Sequence, residues 1–433
     1  MKIFTRIPIF FLLGLSPLLA DAVRDEIFQN RANLGSNYRI YPEPTKVETP
    51  PPQGYLAFYV SHYGRHGSRY HYSESDYGYL EKTLAKAAKK GKLTATGKSA
   101  LERFRKLNGS FANRAGDLTQ KGAAQHRGIA KRLVERYPAI FTDSAYVEAF
   151  SSTSPRSLVS MSAFLQALSA KRPNIRIRQE SGKSLMPFIK PKRDKSITQN
   201  AACDSANAKL YSRVNPWRQM KLLFGDSLYV TKNIDPYEFQ TKLYEITSSL
   251  QGMDSVDFDF NDLWTDDELF YRWQAQNFWW YSILGNCPAT GFKGPESARP
   301  LLQNILDEAD RAIFADTSGS PQQIAATFRF GHDTGILPLV SLIEIGVARA
   351  RVENVDSLYT KWTDFKIIPM AANIQFVFYR SNEKGASVLM KVLHNEREET
   401  MPVTCNGKCP KAPYYRWTDV RDYFKSLLRK GNP

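Results

Sequence analysis

The sequence predicts an α/β fold: a mostly parallel central sheet flanked by helices, with an inserted, mostly helical cap. Apolar runs of strand length alternate with helical patterns in the first and last parts of the 433-residue chain. The alternation stops between residues 175 and 320, where helical patterns follow one another. Polar segments follow several of the apolar runs directly, as expected at the carboxyl ends of buried parallel strands.

The first 22 residues have the pattern of a secretory signal peptide. Lys2 and Arg6 precede an apolar run at residues 7–19, and Ala-Asp-Ala at residues 20–22 offers a cleavage site. The run is shorter than the roughly 20 residues that span a bilayer, so a membrane anchor is the weaker interpretation. We therefore expect an exported protein, periplasmic or secreted, without a stable membrane anchor.

The remaining chain divides into two predicted parts. We assign residues 23–174 and 321–433 to the α/β core and residues 175–320 to the cap. Within the core, residues 23–53 read as an irregular, Pro-rich lead-in. Strand patterns then follow, and the last two are expected to form a hairpin; they cover residues 55–60, 146–150, 324–330, 373–379 and 387–394.

The cysteines and the charge limit the class of protein further. An even number of cysteines in an exported protein suggests two disulfides, and Cys405–Cys409 with Cys203–Cys287 is the most economical of three pairings. Zinc is the weaker alternative because the spacings are irregular. The formal net charge of +16 favours an anionic partner. No nucleic-acid module or Walker loop occurs, so we expect a phosphorylated small molecule rather than nucleic acid.

Three polar segments follow strand patterns and are the candidate site. They are Arg-His-Gly-Ser-Arg at residues 65–69, the run at residues 151–156, and Gly-His-Asp at residues 331–333. Because ligands bind where strand carboxyl ends converge in an open α/β sheet, we expect these segments to share one pocket.

The residue types in these segments suit phosphate chemistry. Arg65, Arg69 and Arg156 supply permanently charged, forked donors for phosphate oxygens. Gly67 is expected to let the backbone approach a phosphate.

The same segments supply a nucleophile and an acid. The imidazole of His66 can attack phosphorus without a metal. His332 can donate to a phosphate oxygen, and Asp333 can protonate the leaving alcohol.

These segments resemble those of the histidine acid phosphatases, which include histidine-type phytases and multiple inositol polyphosphate phosphatases. Leu-Thr-Gln-Lys-Gly at residues 118–122 looks like a further family segment, as do Thr153, Arg156 and Ser160 with the helix at residues 163–166. The matches keep the family's order over roughly residues 55–345.

The resemblance implies a phosphoglycerate-mutase-like sandwich and a phosphohistidine intermediate. His66 would carry the phosphoryl group, and Asp333 would protonate the leaving alcohol and then help to activate water. No metal or cofactor is implied. The phosphate would be bound by Arg65, Arg69, Arg156 and His332.

The chain departs from the family pattern at two places. Tyr70-His71 stands where a Pro often follows the second Arg. His332-Asp333-Thr334 stands where the multiple inositol polyphosphate branch commonly carries His-Ala-Glu. The proton donor is therefore placed as in the phytase and acid phosphatase branch, and both branches stay open.

The substrate is predicted less directly. The positive charge and a basic run favour inositol polyphosphates such as phytate as the substrate. The run consists of Lys183, Lys190, Lys192, Arg193 and Lys195. The alternative interpretation of this run is a solvated loop without a role in substrate binding. Two further alternatives are a broad-specificity acid phosphatase acting on sugar phosphates or nucleotides and a non-catalytic anion-binding protein.

Several other groups are expected to be structural. They are His62, His71 and His126, together with the aromatic run at residues 278–281, which we assign to the cap core.

Overall fold

A computed structural model describes residues 15–192, 195–198, 200–254, 256–314 and 323–429. Residues 1–14, with Lys2, Arg6 and the start of the apolar run, lie outside the described residues, as does Arg193 of the basic run. A helix spans Leu15–Gln29 and so crosses the expected cleavage site. Among the described helices, none combines the length and the apolar character needed to cross a membrane.

The centre of the fold is a mixed, mostly buried sheet. Its strand order is β3-β2-β4-β1-β5-β6-β7, with β8 paired to β6. The first four strands in this order pair in parallel and the others antiparallel. The strands are β1 Tyr55–Arg65, β2 Tyr146–Ser151, β3 Arg176–Ser181, β4 Ile324–Gly331, β5 Asn373–Ser381, β6 Leu389–His394, β7 Arg397–Glu399 and β8 Tyr415–Arg416.

Helices cover the sheet and form the region between β3 and β4. They are α1 Leu15–Gln29, α2 Glu74–Lys89, α3 Ala95–Phe111, α4 Gln120–Arg136, α5 Pro155–Lys171, α6 Met186–Ile189, α7 Ala201–Tyr211, α8 Trp217–Leu223, α9 Ser227–Asn233, α10 Pro236–Ser249, α11 Asp266–Leu284, α12 Lys293–Glu296, α13 Arg299–Phe314, α14 Asp333–Leu342, α15 Leu358–Lys361, α16 Asp364–Ile367 and α17 Trp417–Arg429. A 3-10 segment, Arg31–Tyr38, precedes β1.

The α/β class and most of the elements agree with the sequence patterns. Every residue of β4 is buried, which explains why its sequence is mostly apolar. Thr119 caps α4 by accepting from the amide of Gly122 at 3.1 Å, and Thr265 with Glu268 forms a capping box on α11. The expected C-terminal hairpin is the β5–β6 pair.

Two strand predictions were incomplete. β1 continues five residues beyond the predicted end at residue 60, through polar Ser61–Arg65, so Arg65 ends the strand instead of following it. The stretch after residue 175 was expected to be irregular, but β3 pairs in parallel with β2 at the sheet edge. Its alternating exposure and many charges hid it, because an edge strand needs little apolar surface.

The cap boundaries at residues 175 and 320 stay a prediction. Helices α8, α10 and α11 pack in one apolar cluster with α2 and α3, whereas α13 packs in the cluster that also covers β5 and α17. Helices of the region between β3 and β4 therefore pack against α2 and α3, the helices that follow β1.

The disulfide expectation was half right. Cys405 and Cys409 are joined, but Cys203 and Cys287 are free, buried thiols. These two thiols are hydrogen-bond neighbours, so the sequence argument found their proximity but not their oxidation state.

Candidate active site

The strand register places the polar segments beside one another. Arg65 at the end of β1 is paired with Gly331 at the end of β4, and Ser151 at the end of β2 with Phe330. The next residues along the chain are His66 and His332, whose ring centroids are 5.5 Å apart. The three segments predicted from the sequence therefore meet at one edge of the sheet.

His66 has one ring nitrogen fixed and the other free to react. Its Nδ1 lies 2.9 Å from the carbonyl oxygen of Gly67, which can only accept, so Nδ1 carries the proton and Nε2 keeps its lone pair. The pKa of His66 lies well below its usual value because of burial and the charges of Arg65 and Arg156. A neutral imidazole is the nucleophilic form.

Three guanidinium groups near this ring have unpartnered, buried nitrogens. These atoms are the Nε nitrogens of Arg65, Arg69 and Arg156. Arg65 is held by hydrogen bonds of 2.6 Å to the carbonyls of Asn37 and Ile368. Since an unpartnered buried cation is costly, the arrangement favours a bound anion.

His332 is held by a residue that the sequence argument did not single out. Ser152, one residue beyond β2, places Oγ 2.9 Å from Nε2 of His332. This contact leaves Nδ1 as the ring nitrogen available to a ligand. The pKa of His332 is lowered by burial first and then by Arg156.

Asp333 opens α14 and forms an ion pair with Arg65. Its Oδ2 lies 3.0 Å from Nη2 of Arg65 and accepts from the Asn37 amide at 3.0 Å. Burial raises the pKa of Asp333, but Arg65 and the other polar neighbours together lower it further, so its pKa lies below the usual value. The free protein thus holds an ionised carboxylate at the position expected for the acid.

Gly67 has a role in packing that the sequence did not predict. A Cβ at this position would lie 2.3 Å from the carbonyl oxygen of Gly122 in α4. Likewise, a Cβ at Gly122 would lie 2.2 Å from the carbonyl oxygen of Ser68. The two glycines therefore allow the site loop to pack on a helix, and the approach of the Gly67 backbone to a phosphate stays a prediction.

The segment before β1, expected to be a linker-like lead-in, contributes to the site. Tyr38 stacks under Arg69, with 5.0 Å from the guanidinium carbon to the ring centroid, and its hydroxyl accepts from Arg69 at 3.4 Å. Neither Tyr38 nor Asn37 lies in a recognisable sequence pattern, so no signal in the sequence could have identified them.

His71 supports this arrangement from behind. Its Nε2 donates to the Asp76 carboxylate at 3.0 Å, so its Nδ1 accepts from the hydroxyl of Tyr38 at 3.0 Å. Lys242 of α10 pairs with Asp76 at 2.6 Å. The network links α10 to Arg69 through Tyr38.

Among the described residues, this network also contains the single group with metal-ligand spacing. Ligand atoms of His71, Asp76 and Glu245 lie within 4.8 Å of one another. The ammonium of Lys242 already neutralises Asp76, so the group is balanced without an ion.

The other two histidines near β1 are structural, as expected. His62 and His126 are almost fully buried, and neither ring has a side-chain hydrogen-bond partner. They pack against the aromatic rings of Phe164 and Phe330.

A cavity of about 460 Å³ opens beside the cluster, which is the size of a small-molecule site. Arg69 and Asp333 form part of its lining, and so do residues of α10 and α11. The aromatic run at residues 278–281 is core, as expected, at Phe278, Trp280 and Tyr281. Trp279 is the exception, since it is 40% exposed and lines this cavity.

The basic run lies at a different place. Lys183, Lys190 and Lys192 are exposed and line a second cavity near α6. Lys190 is near enough for its charge to lower the pKa of His332, as a smaller contribution after burial.

Comparison with known proteins agrees with this geometry. Residues 64–395 match the sequence model of the histidine phosphatase superfamily (branch 2). Multiple inositol polyphosphate phosphatase 1 of Homo sapiens is 22% identical over 342 residues, which cover 72% of this chain and 66%, just under two thirds, of that relative.

Solved structures share the fold. The multiple inositol polyphosphate phosphatase of Bifidobacterium longum in complex with inositol hexasulfate superposes with a TM-score of 0.76 at 18% identity, covering 92% of this chain and 98% of that chain. The phytase from D. castellii superposes with a TM-score of 0.61 at 16% identity, covering 93% of this chain and 86% of that chain. The chain belongs to the histidine phosphatase superfamily, branch 2.

Proposed function

We propose that this protein hydrolyses phosphomonoesters, preferentially inositol polyphosphates such as phytate, through a phosphohistidine at His66. The observation that carries the proposal is the free Nε2 of a neutral His66 beside three guanidinium groups with unpartnered buried nitrogens. The names of the relatives from Homo sapiens and Bifidobacterium longum support the substrate class.

In the first step, Arg65, Arg69 and Arg156 hold the phosphate oxygens and stabilise the charge of the transition state. Nε2 of His66 forms a bond to phosphorus while the ester oxygen leaves. The phosphoryl group moves to the imidazole, and the leaving oxygen takes a proton from Asp333.

In the second step, water hydrolyses the phosphohistidine. Asp333, now ionised, accepts a proton from the attacking water, and the N–P bond breaks to release inorganic phosphate and neutral His66. His332 donates to a phosphate oxygen in both steps. The residues of α10 and α11 act as the cap that covers the bound substrate.

Rapid quenching with phosphorus-labelled phytate tests the intermediate. We expect acid-labile label on the wild-type protein and none on His66→Ala. Asp333→Asn with labelled nitrophenyl phosphate should accumulate more label, because its second step is slowed while a good leaving group departs without an acid. Absence of label on both wild-type protein and Asp333→Asn would contradict the mechanism, and with ligand binding intact it would favour a binding protein.

Comparing substrates tests the preference. Turnover of phytate should exceed turnover of glucose phosphates and nucleotides in kcat/KM. Turnover of the small esters with phytate untouched would instead establish a broad-specificity phosphatase.

We also propose export through the N-terminal segment. The basic start, short apolar run and Ala-Asp-Ala site support it. N-terminal sequencing of the secreted or periplasmic protein should find a first residue near position 23. An exported protein that still begins with Met1 would contradict cleavage at this site.

A further inference from the structure

Arg272 is a buried cation that the catalytic steps above do not use. It lies on α11, is 1% exposed, and forms no hydrogen bond or ion pair with a described residue. Its Nε and Nη1 are buried without a partner. The faces of two aromatic rings lie over the guanidinium, Tyr244 at 4.6 Å and Tyr211 at 5.6 Å, measured to the ring centroids.

Arg272 faces the same cavity as the catalytic cluster. Four residues recur at helical spacing on α11 and line the cavity that Arg69 also lines: Arg272, Gln276, Trp279 and Trp280. The Arg272 side chain therefore borders the part of the cavity that a substrate would fill beyond the reacting phosphate.

Glu245 is the carboxylate that faces Arg272 from α10. It lines the same cavity, and burial raises its pKa although the charge of Arg272 lowers it. The side chain keeps 24% of its surface exposed and lies 3.9 Å from Nε2 of His71. No ion pair joins it to Arg272, and none of the residues that the structure describes supplies a direct counter-ion to this guanidinium.

We propose that Arg272 binds a second phosphate of the substrate while the first lies on Arg65, Arg69 and Arg156. The inference rests on the proposed function and narrows its substrate class to compact esters that carry at least two phosphates. An anion supplies the acceptors that the buried nitrogens lack. The ring faces of Tyr211 and Tyr244 hold the planar guanidinium in place for this contact.

Calorimetry with two non-reacting anions tests the subsite. Myo-inositol hexakissulfate can reach both groups of arginines, whereas inorganic phosphate occupies the catalytic cluster alone. In Arg272→Met, the ratio of the Kd for hexakissulfate to the Kd for phosphate should rise about 10- to 100-fold, because a charge-assisted hydrogen bond is lost. Arg272→Lys should restore part of the loss.

Arg103→Met is the matched control. Arg103 also lies 4.6 Å over an aromatic ring, that of Phe260, but does not line the cavity. Its removal should lower the melting temperature without changing the ratio. Glu245→Gln is a second test, which can still be made if Arg272→Met does not fold. Removal of the carboxylate near Arg272 should lower the ratio of the Kd for hexakissulfate to the Kd for phosphate.

The outcomes separate the two proposals. An unchanged ratio in both Arg272→Met and Glu245→Gln, with turnover of nitrophenyl phosphate intact in the wild-type protein, overturns the subsite and leaves the phosphatase standing. If Arg272→Met is misfolded, an unchanged or raised ratio in Glu245→Gln overturns the subsite alone. Absence of turnover in the wild-type protein overturns the proposed function, and the substrate role of Arg272 with it.

Discussion

Arg65 places Nη2 3.0 Å from the carboxylate of Asp333, so one guanidinium both faces the phosphate site and holds the proposed acid ionised. A bound anion competes for this guanidinium and adds negative charge beside Asp333. The pKa of Asp333, lowered in the free protein, must then rise. Binding of substrate would therefore give the acid its proton.

This relationship predicts proton uptake on ligand binding. Calorimetry of hexakissulfate binding at pH 5, in buffers of different ionisation enthalpy, measures the number of protons that the protein takes up. We expect Asp333→Asn to take up fewer protons than the wild-type protein, by a fraction that approaches about one proton. Hexakissulfate suits the measurement because its own charge does not change with pH.

Asp356→Asn is the control for that measurement. Asp356 is also ion-paired, with Lys209 and Arg213, but lies outside the site cavity. Its replacement should leave proton uptake as in the wild-type protein. Equal uptake by the wild-type protein and Asp333→Asn would show that binding does not protonate Asp333.

The leaving group should determine how much Asp333 matters. We expect kcat for phytate to fall about 100-fold or more in Asp333→Asn, because an alkoxide leaves poorly without a proton. For nitrophenyl phosphate the fall in the burst rate should stay below about tenfold, since a phenolate needs little assistance. Equal losses in single-turnover measurements would remove Asp333 from the acid role.

The contact between Gly67 and Gly122 should be intolerant of a side chain. Gly67→Ala places a Cβ 2.3 Å from a backbone oxygen, so the loop that carries His66 must move. We expect a loss of kcat of at least about tenfold and destabilisation of roughly 1–3 kcal/mol by urea unfolding.

Gly109→Ala is the matched replacement. A Cβ at Gly109, inside α3, meets nothing within 4 Å. This variant should be as active as the wild-type protein and more stable by about 0.5–1 kcal/mol, since Ala is the better helix former. Full activity in Gly67→Ala would show that the glycine contact does not fix the loop.

Acid should destabilise the fold through its histidines. All six are buried, and burial is the main cause that lowers each pKa below 6.5; they are His62, His66, His71, His126, His332 and His394. Below pH 6.5 the unfolded chain gains protons that the folded chain does not. The free energy of unfolding should therefore fall as pH falls from 6.5 towards 4, by up to about 1.4 kcal/mol per pH unit for each histidine.

Three carboxyl groups of the described residues oppose this trend, because burial raises the pKa of Asp364 to about 6 and also raises the pKa values of Glu245 and Glu399. The folded chain takes up protons at these groups before the unfolded chain does, which adds stability as pH falls. Urea unfolding at pH 7, 6, 5 and 4 measures the balance, and we expect the six histidines to outweigh the three carboxyl groups. A flat profile between pH 7 and 5 would contradict the prediction.

His62→Phe should reduce the slope of that profile. Both ring nitrogens of His62 are unpartnered and its neighbours are phenylalanines, so a phenyl ring fits the environment. An unchanged slope would remove His62 from the acid effect.

The sequence was sufficient for the parts of the site that follow strands. Parallel strands bring their carboxyl ends together, so His66, Arg156 and His332 could be placed in one pocket without coordinates. Ser152 lies in the predicted run at residues 151–156, but its contact with His332 could not be predicted from that run. Asn37 and Arg272 could not be found in this way, because they follow no strand and reach the site through tertiary contacts that leave no periodic pattern.

The 3-10 segment Arg31–Tyr38 has a consequence for how this chain can be shortened. The family match begins at residue 64, yet Asn37 and Tyr38 orient the acid and one phosphate ligand. A fragment trimmed to the matched region would keep the nucleophile His66 but lose the residues that orient Asp333 and Arg69. Leaders and affinity tags should therefore be joined well before Arg31, because the segment Arg31–Tyr38 carries the residues that orient Asp333 and Arg69.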